Sequence, residues 1–322
     1  MAPRPVLAGV GVAFVVIVAL TVVAVLAGLR LKPEPAPASP ASTAPTPRLP
    51  NQATAADVRA TRDRFGITFL QPTLPSGTYW KSNWQRPRSF DGVDPDDPWF
   101  DSDHGSATYR VRDGRLYISG NVPRMYIHDP QMARQWRDVE ITMYVKRVAD
   151  DGVPYAGMTS VARSNHLDTG SGTRRCDTRG IGARIRYDGH ADFEKETAFP
   201  VNEATHNTEI WRGGMPHGRW IGYKFLVFDQ PEGVHLELWM DLSNGVDGGR
   251  WRRVAAMVDD GHVLGSVPCA PGIDPKMALT KARSRPGSET GLPNLTVYFR
   301  SDGVHQDGLV YKWGSVREIA PR

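Results

Sequence analysis

Beyond Phe65 helical periodicity nearly disappears, and strand signals with a period of two replace it along much of the chain. Val139, Ile141, Met143 and Val145 alternate with Glu140, Thr142, Tyr144 and Lys146. That alternation predicts an antiparallel strand with one face in a core and the other toward solvent. Residues 223–228 and 234–242 flank 229–233, which predicts a hairpin with a five-residue loop. Asp188-Gly189, between 183–187 and 191–197, is the strongest short hairpin signal in the chain. Further strands are predicted at 115–119, 124–128, 251–258 and 309–319, and only 55–65 reads as a short helix. Many short strands separated by Gly- and Pro-rich turns predict an all-β sandwich or jelly roll.

The N-terminal residues obey different rules. After a short tail, 1–5, residues 6–29 are uninterruptedly apolar and uncharged. As a helix this run reaches ~36 Å at ~1.5 Å per residue, enough for a ~30 Å hydrocarbon core, so a transmembrane anchor is expected. Val25-Leu26-Ala27 also reads as a small-residue cleavage site, so a cleaved signal stays as the alternative. Residues 30–53 are rich in Pro, Ala, Ser and Thr, the composition of an extended linker. Arg4 precedes the apolar run while Arg30 and Lys32 follow it, a charge balance leaning against an outer C-terminal domain. The stalk-like linker and the even cysteine count point outward. Cys176 and Cys269 are the only cysteines, which suits one disulfide in an oxidising compartment. Closing that loop removes ~4.6 kcal/mol of unfolded-state entropy in the chain model. The expectation is a single-pass cell-membrane protein whose domain, 54–322, lies outside the cytoplasm. The net charge of +4 is scattered, without a run dense enough to mark a nucleic-acid arm.

Several predicted strands carry unusual chemistry opposite their apolar side. Leu295, Val297 and Phe299 alternate with Thr296, Tyr298 and Arg300, pairing a phenol with a guanidinium. Arg124, Tyr126 and His128 share a face, as do His235, Glu237, Trp239 and Asp241. With a symmetric turn at Asp188-Gly189, Tyr187, His190, Asp192, Glu194 and Glu196 form another set. Aromatics and charges presented side by side suit a long sugar-binding trough, and Trp80, Trp84, Trp99, Trp211, Trp220 and Trp239 are candidate stacking platforms. Asp94, Asp96, Asp97, Asp101 and Asp103 crowd one loop, and Asp241, Asn244 and Asp247 punctuate another. Acidic loops are usually just solvated and no cofactor is expected, with Ca²⁺ held by Asp94, Asp97 and Asp101 as the alternative, since oxygen ligands at that density suit it. Zinc, P-loop, dinucleotide and Gly-x-Ser-x-Gly patterns are absent.

This organisation resembles the concanavalin A-like jelly roll of lectins, glucanases and polysaccharide lyases. Tyr298-Phe299-Arg300-Ser301-Asp302-Gly303-Val304-His305-Gln306 is similar to the Tyr-Phe-Lys-Ala-Gly-x-Tyr-x-Gln motif of alginate-lyase-like enzymes. Arg163-Ser164-Asn165-His166 resembles their Arg-Ser-Glu-Leu strand, and Arg184-Ile185-Arg186 falls where they place Gln-Ile-His. Asn165 replaces the Glu, the Gln-Ile-His is missing, and one extra residue precedes Gly303. The resemblance implies β-elimination on a uronate-containing glycan. Arg163 or Asn165, with Arg186, would neutralise the carboxylate. Tyr298, its pKa lowered by Arg300, would move the proton together with His166 or His190. Arg300, Arg124, Tyr126, His128, Tyr187, Glu194, Glu237 and Trp239 would bind substrate. Glycoside hydrolysis on the same fold is a second route, although Glu194 and Glu196 lie ~7 Å apart along a strand and Glu237 and Asp241 ~13 Å, against ~5–5.5 Å for a retaining pair. A lectin-like protein binding a polysaccharide or cell-wall glycan without turnover is the third.

Overall fold

The computed structural model describes residues 51–102, 107–165, 179–198, 201–262, 264, 267–269, 271 and 294–322. The expected membrane segment, most of the linker, His166 and Cys176 lie outside these residues. Along the chain the strands are β1 (Tyr79–Lys81), β2 (Arg88–Phe90), β3 (Val93–Asp94), β4 (Asp97–Asp101), β5 (Thr108–Arg112), β6 (Arg115–Gly120), β7 (Arg124–His128) and β8 (Val139–Arg147). They continue as β9 (Gly157–Ser164), β10 (Gly180–Arg186), β11 (His190–Ala198), β12 (Val201–Glu209), β13 (Trp220–Gln230), β14 (Gly233–Asp241), β15 (Arg252–Asp259), β16 (Thr296–Arg300) and β17 (Val304–Glu318).

These strands make an all-β sandwich of two antiparallel sheets. The larger runs β15-β14-β13-β8-β17-β6-β5-β2, with β1 also on β17, and the smaller runs β12-β11-β10-β9-β16-β7-β4-β3. Between them lies one continuous core that takes Ile141, Met143 and Val145 from β8, Ile181, Ala183 and Ile185 from β10, and Val297 and Phe299 from β16. The period-two reading therefore selects the inward residues correctly on β8 and β16.

Its second half, solvent on the opposite face, fails on β8. Glu140, Thr142 and Tyr144 are as buried as their apolar neighbours. Over Glu140 the cause is the chain before β1, which crosses the outside of the larger sheet, while Tyr144 is covered by the Trp251 and Trp313 rings. Thr73 bridges to Ile319, and the Leu74 amide donates to the Glu318 carbonyl at 3.0 Å. Glu140 meets this cover with three kinds of partner: the amides of Leu70 and Gln71 at 3.1 Å, the Lys224 ammonium at 2.6 Å and the Arg317 guanidinium at 2.5 Å. The expected helix shrinks to Ala55–Arg59, where Thr54 and Asp57 form a reciprocal capping box.

Both predicted hairpins are tighter or shifted. Gln230 pairs with Gly233, so the β13–β14 loop holds only Pro231 and Glu232. In the β10–β11 hairpin Ile185 pairs with Ala191, which leaves residues 187–189 as the loop between Arg186 and His190. Gly189 adopts φ +92° there, as a three-residue hairpin with a left-handed glycine requires. This odd-numbered loop moves Tyr187 out of the predicted polar set and into the core, and puts Arg184 and Arg186 in its place.

Candidate functional site

Register across the smaller sheet assembles the polar face that the sequence implies. One row reads Asp101, Tyr126, Tyr298, Val161, Gly182 and Glu194 from β4 to β11. The next reads Arg124, Arg300, Thr159, Arg184 and Asp192. Gly182 keeps the row close, because a Cβ there would sit 3.2 Å from Glu194 Cγ and 3.3 Å from a Val161 methyl and would press on both. The charges on this face neutralise one another. Arg300 binds Glu194, Arg184 meets Asp192 at 2.7 Å and Glu194 at 3.4 Å, and Arg186 reaches Asp192 at 3.2 Å.

Tyr298 stands opposite the core residues Val297 and Phe299 but is only 2 % exposed, in a small cluster with Tyr126 and Val161. Its ring centroid is 5.4 Å from that of Tyr126. Burial pushes the phenol well above its ordinary pKa, and the opposing pull of Arg300 is smaller. The expected lowering of the Tyr298 pKa by Arg300 is thus reversed, because desolvation outweighs a cation already engaged by Glu194.

The remaining candidates disperse. Arg163 sits at a register shift in β9 with φ +53°, and its buried guanidinium turns to Asp138 at 2.9 Å and Asp229 at 2.6 Å. Asn165 accepts from the Arg179 amide at 3.2 Å. His190 lies 3.2 Å from Asp188, whose carboxylate also takes Arg186. His128 is buried, 3.6 Å from Asp101. Glu237 and Trp239 belong to the other sheet, where the Trp239 indole donates to Glu237 at 2.8 Å and Arg253 adds a contact at 3.0 Å. Cys269 is buried, and its expected partner Cys176 lies outside the described residues.

The acidic loops serve structure. Asp94 takes both guanidinium arms of Arg88, and Asp97 accepts from the Trp80 indole at 2.7 Å and the Trp99 amide at 3.2 Å. Asp241 accepts from Ser243, Gly245 and Arg250 amides, the Ser243 hydroxyl and, at 2.7 Å, the Tyr144 hydroxyl. Among the described residues no group of three or more His, Cys, Asp or Glu side chains is arranged to hold a metal ion.

An open site does exist at the edge where β12 and β15 end their sheets. A cleft of about 420 Å³ is lined by Trp211, Met240, Leu242, Arg250, Arg252 and neighbouring residues. Asp241 shapes its rim by gathering the amides of the following loop, and the β10–β11 turn fixes its wall. The amides of Ile210 and Trp211 both donate to the Gly189 carbonyl, at 2.8 and 3.0 Å. Leu242 is 46 % exposed, Trp211 is half-buried, and among the described residues neither Arg250 nor Arg252 has a carboxylate partner. Trp211 is among the candidate stacking platforms that the sequence offers. The two arginines are not, and the only signal for them is the basic run around Trp251, Arg250-Trp251-Arg252-Arg253.

An all-β sandwich with an aromatic, cationic cleft at its open edge is the class that fold and site define. No protein-family model matches the chain, and no curated protein matches it in sequence. Among solved structures, the exoplasmic/lumenal domain of VIP36 in its Ca²⁺-bound form is 10% identical, with 73% of this chain and 91% of that one covered at a TM-score of 0.42. A legume lectin-like domain from Entamoeba histolytica is 7% identical, over 74% of this chain and 99% of that one, at 0.38. Lectin II from Ulex europaeus is 10% identical, over 72% and 98%, at 0.39. These are likenesses of general architecture, and no residue role is taken from them.

Proposed function

We propose that this chain binds a carbohydrate without cleaving it, and that the cleft at the β12–β15 edge is where the sugar sits. The observation that carries this reading is Trp211 beside two guanidinium groups free of carboxylates, within an open apolar hollow. An indole face stacks on a pyranose, and guanidinium groups take its hydroxyls or an acid substituent such as a uronate carboxylate. β-Elimination is the weaker reading, since its base would be a buried phenol with a raised pKa. On the same proposal residues 6–29 anchor the chain in a cell membrane, residues 30–53 hold the sandwich away from it outside the cytoplasm, and Cys176 pairs with Cys269. A glycan array probed with the full chain and with Trp211→Ala tests the function. Binding to one class of glycan, weakened about tenfold or more in the variant for a loss of ~1.4 kcal/mol, is expected. Unsaturated uronate product from any polymer bound would replace the lectin-like reading with the lyase.

A further inference from the structure

A second cationic site lies on the outer face of the larger sheet. Trp220, at the start of β13, is half-buried, and three cations stand over its ring: Lys312 Nζ at 4.4 Å, Lys146 Nζ at 5.1 Å and the Arg115 guanidinium at 5.7 Å from the centroid. They come from three adjacent strands. Lys146 pairs directly with Trp220 across β8 and β13, while Lys312 lies on β17 and Arg115 on β6. Lys312 also stands 3.6 Å from the Trp313 ring centroid and donates to Asn244 Oδ1 at 2.5 Å.

Among the described residues no carboxylate forms an ion pair with any of the three, and only Asp241 partly offsets the charge of Lys312 from a distance. Asp241, on the same side of the sheet, is occupied by the loop amides and Tyr144. The cost of this crowding falls on Lys312. Burial first, then Arg115 and Lys146, bring its ammonium from the ordinary 10.5 to about 8. Ring faces offset part of such repulsion but neutralise none of it. Lys312 is itself only 7 % exposed, so a carboxylate or sulfate would meet the half-exposed Lys146 and Arg115 and feel Lys312 through its charge. The half-buried indole beside them offers apolar surface to the ring that carries the acid group. Apolar indole surface beside these cations favours an anionic sugar over a bare phosphate or a lipid headgroup, neither of which uses the ring.

We infer that Trp220, Lys312, Lys146 and Arg115 form a second binding site, for an acidic pyranose unit of a uronate- or sulfate-bearing polysaccharide. It is separate from the Trp211 cleft and does not depend on that cleft being a sugar site.

The test is a titration of the full chain with polyglucuronate, dextran sulfate and neutral dextran. Controls are inorganic phosphate and vesicles containing phosphatidylglycerol. Trp220→Ala, Lys312→Met and Trp211→Ala are compared with the parent. Expected is binding of at least one acidic polymer but not of dextran, weakened tenfold or more by Trp220→Ala and by Lys312→Met and less by Trp211→Ala. Lys146→Glu, at a half-exposed position, provides the same readout if either of the first two variants fails to fold. Unchanged affinity in Trp220→Ala and Lys146→Glu overturns the site even if Trp211→Ala abolishes binding, which would leave the cleft proposal intact. Loss confined to the Trp220 side sustains this site and removes the cleft. Vesicle binding lost in these variants with no acidic polymer bound, or phosphate saturating the site as tightly as the polymers, also overturns the assignment.

Discussion

Asp97 shows how a residue type prominent in the sequence acquires a different use in the fold. An aspartate in an acidic loop reads as an oxygen ligand, yet this one is spent on two tryptophans. Burial lifts its carboxyl to about 6, and the two N–H donors recover only part of the rise. Because the folded value lies above the unfolded one, the folded state holds its proton longer. Stability from this group is present below ~3.8 and is lost as pH climbs through about 6. Asp97→Asn keeps an acceptor for the indole but never ionises. It is expected to gain stability relative to the parent as pH rises from ~4 to ~7. Urea midpoints measured across that range check this, and parallel curves for the two proteins would refute it.

At the scale of the element, the β10–β11 hairpin decides which side chains meet. Alternation locates both strands and Asp188-Gly189 locates the turn, so the hairpin is legible. The parity of its loop is not, because two- and three-residue loops share the same Asp-Gly signal and differ only in tertiary fit. That single residue exchanges Tyr187 for Arg186 on the polar face and so converts an imagined aromatic trough into an ion-pair network. Sheet membership is equally hidden. Glu237 and Trp239 look equivalent to Tyr298 and Arg300 by pattern, yet the topology sets them in different sheets. Gly189 also reaches the cleft, since a Cβ there would sit 2.1 Å from the Trp211 carbonyl oxygen. Gly189→Ala is therefore expected to cost ~1–3 kcal/mol from its left-handed backbone. It should also weaken glycan binding by displacing Trp211. Thermal unfolding and affinity measured together separate this from Gly92→Ala, another glycine at φ +90° whose Cβ meets nothing within 4 Å. The Gly92 variant should lose stability and keep affinity.

Over the whole domain, what distinguishes this sandwich is that part of its larger sheet, around Glu140, is covered on the outside by the segment leading into β1. The sequence gives little hint of that closure, because residues 61–74 have no regular period and the sheet beneath them looks solvated. Only the pairing of Glu140 with Lys224 and Arg317, from β8, β13 and β17, reveals a polar layer designed to be covered. Both carboxylate oxygens are used, with the amides of Leu70 and Gln71 as additional donors, so the charges are matched and the cover is fastened through the same group. Removing Glu140 alone leaves two buried cations uncompensated and two amides without their acceptor. Glu140→Ala is expected to destabilise the domain by ~3–5 kcal/mol. Glu140→Gln retains an acceptor for the cover but not the countercharge, and should fall between. Combining Glu140→Gln with Lys224→Met removes one of the stranded cations, so the double variant should recover part of the loss that Glu140→Gln alone incurs. Chemical denaturation of the three variants, with hydrogen exchange at the Leu70 and Gln71 amides, distinguishes a charge clamp from simple packing. If the double variant is no more stable than the single, or if those amides keep full protection in Glu140→Ala, the cover is held by its apolar contacts and not by Glu140.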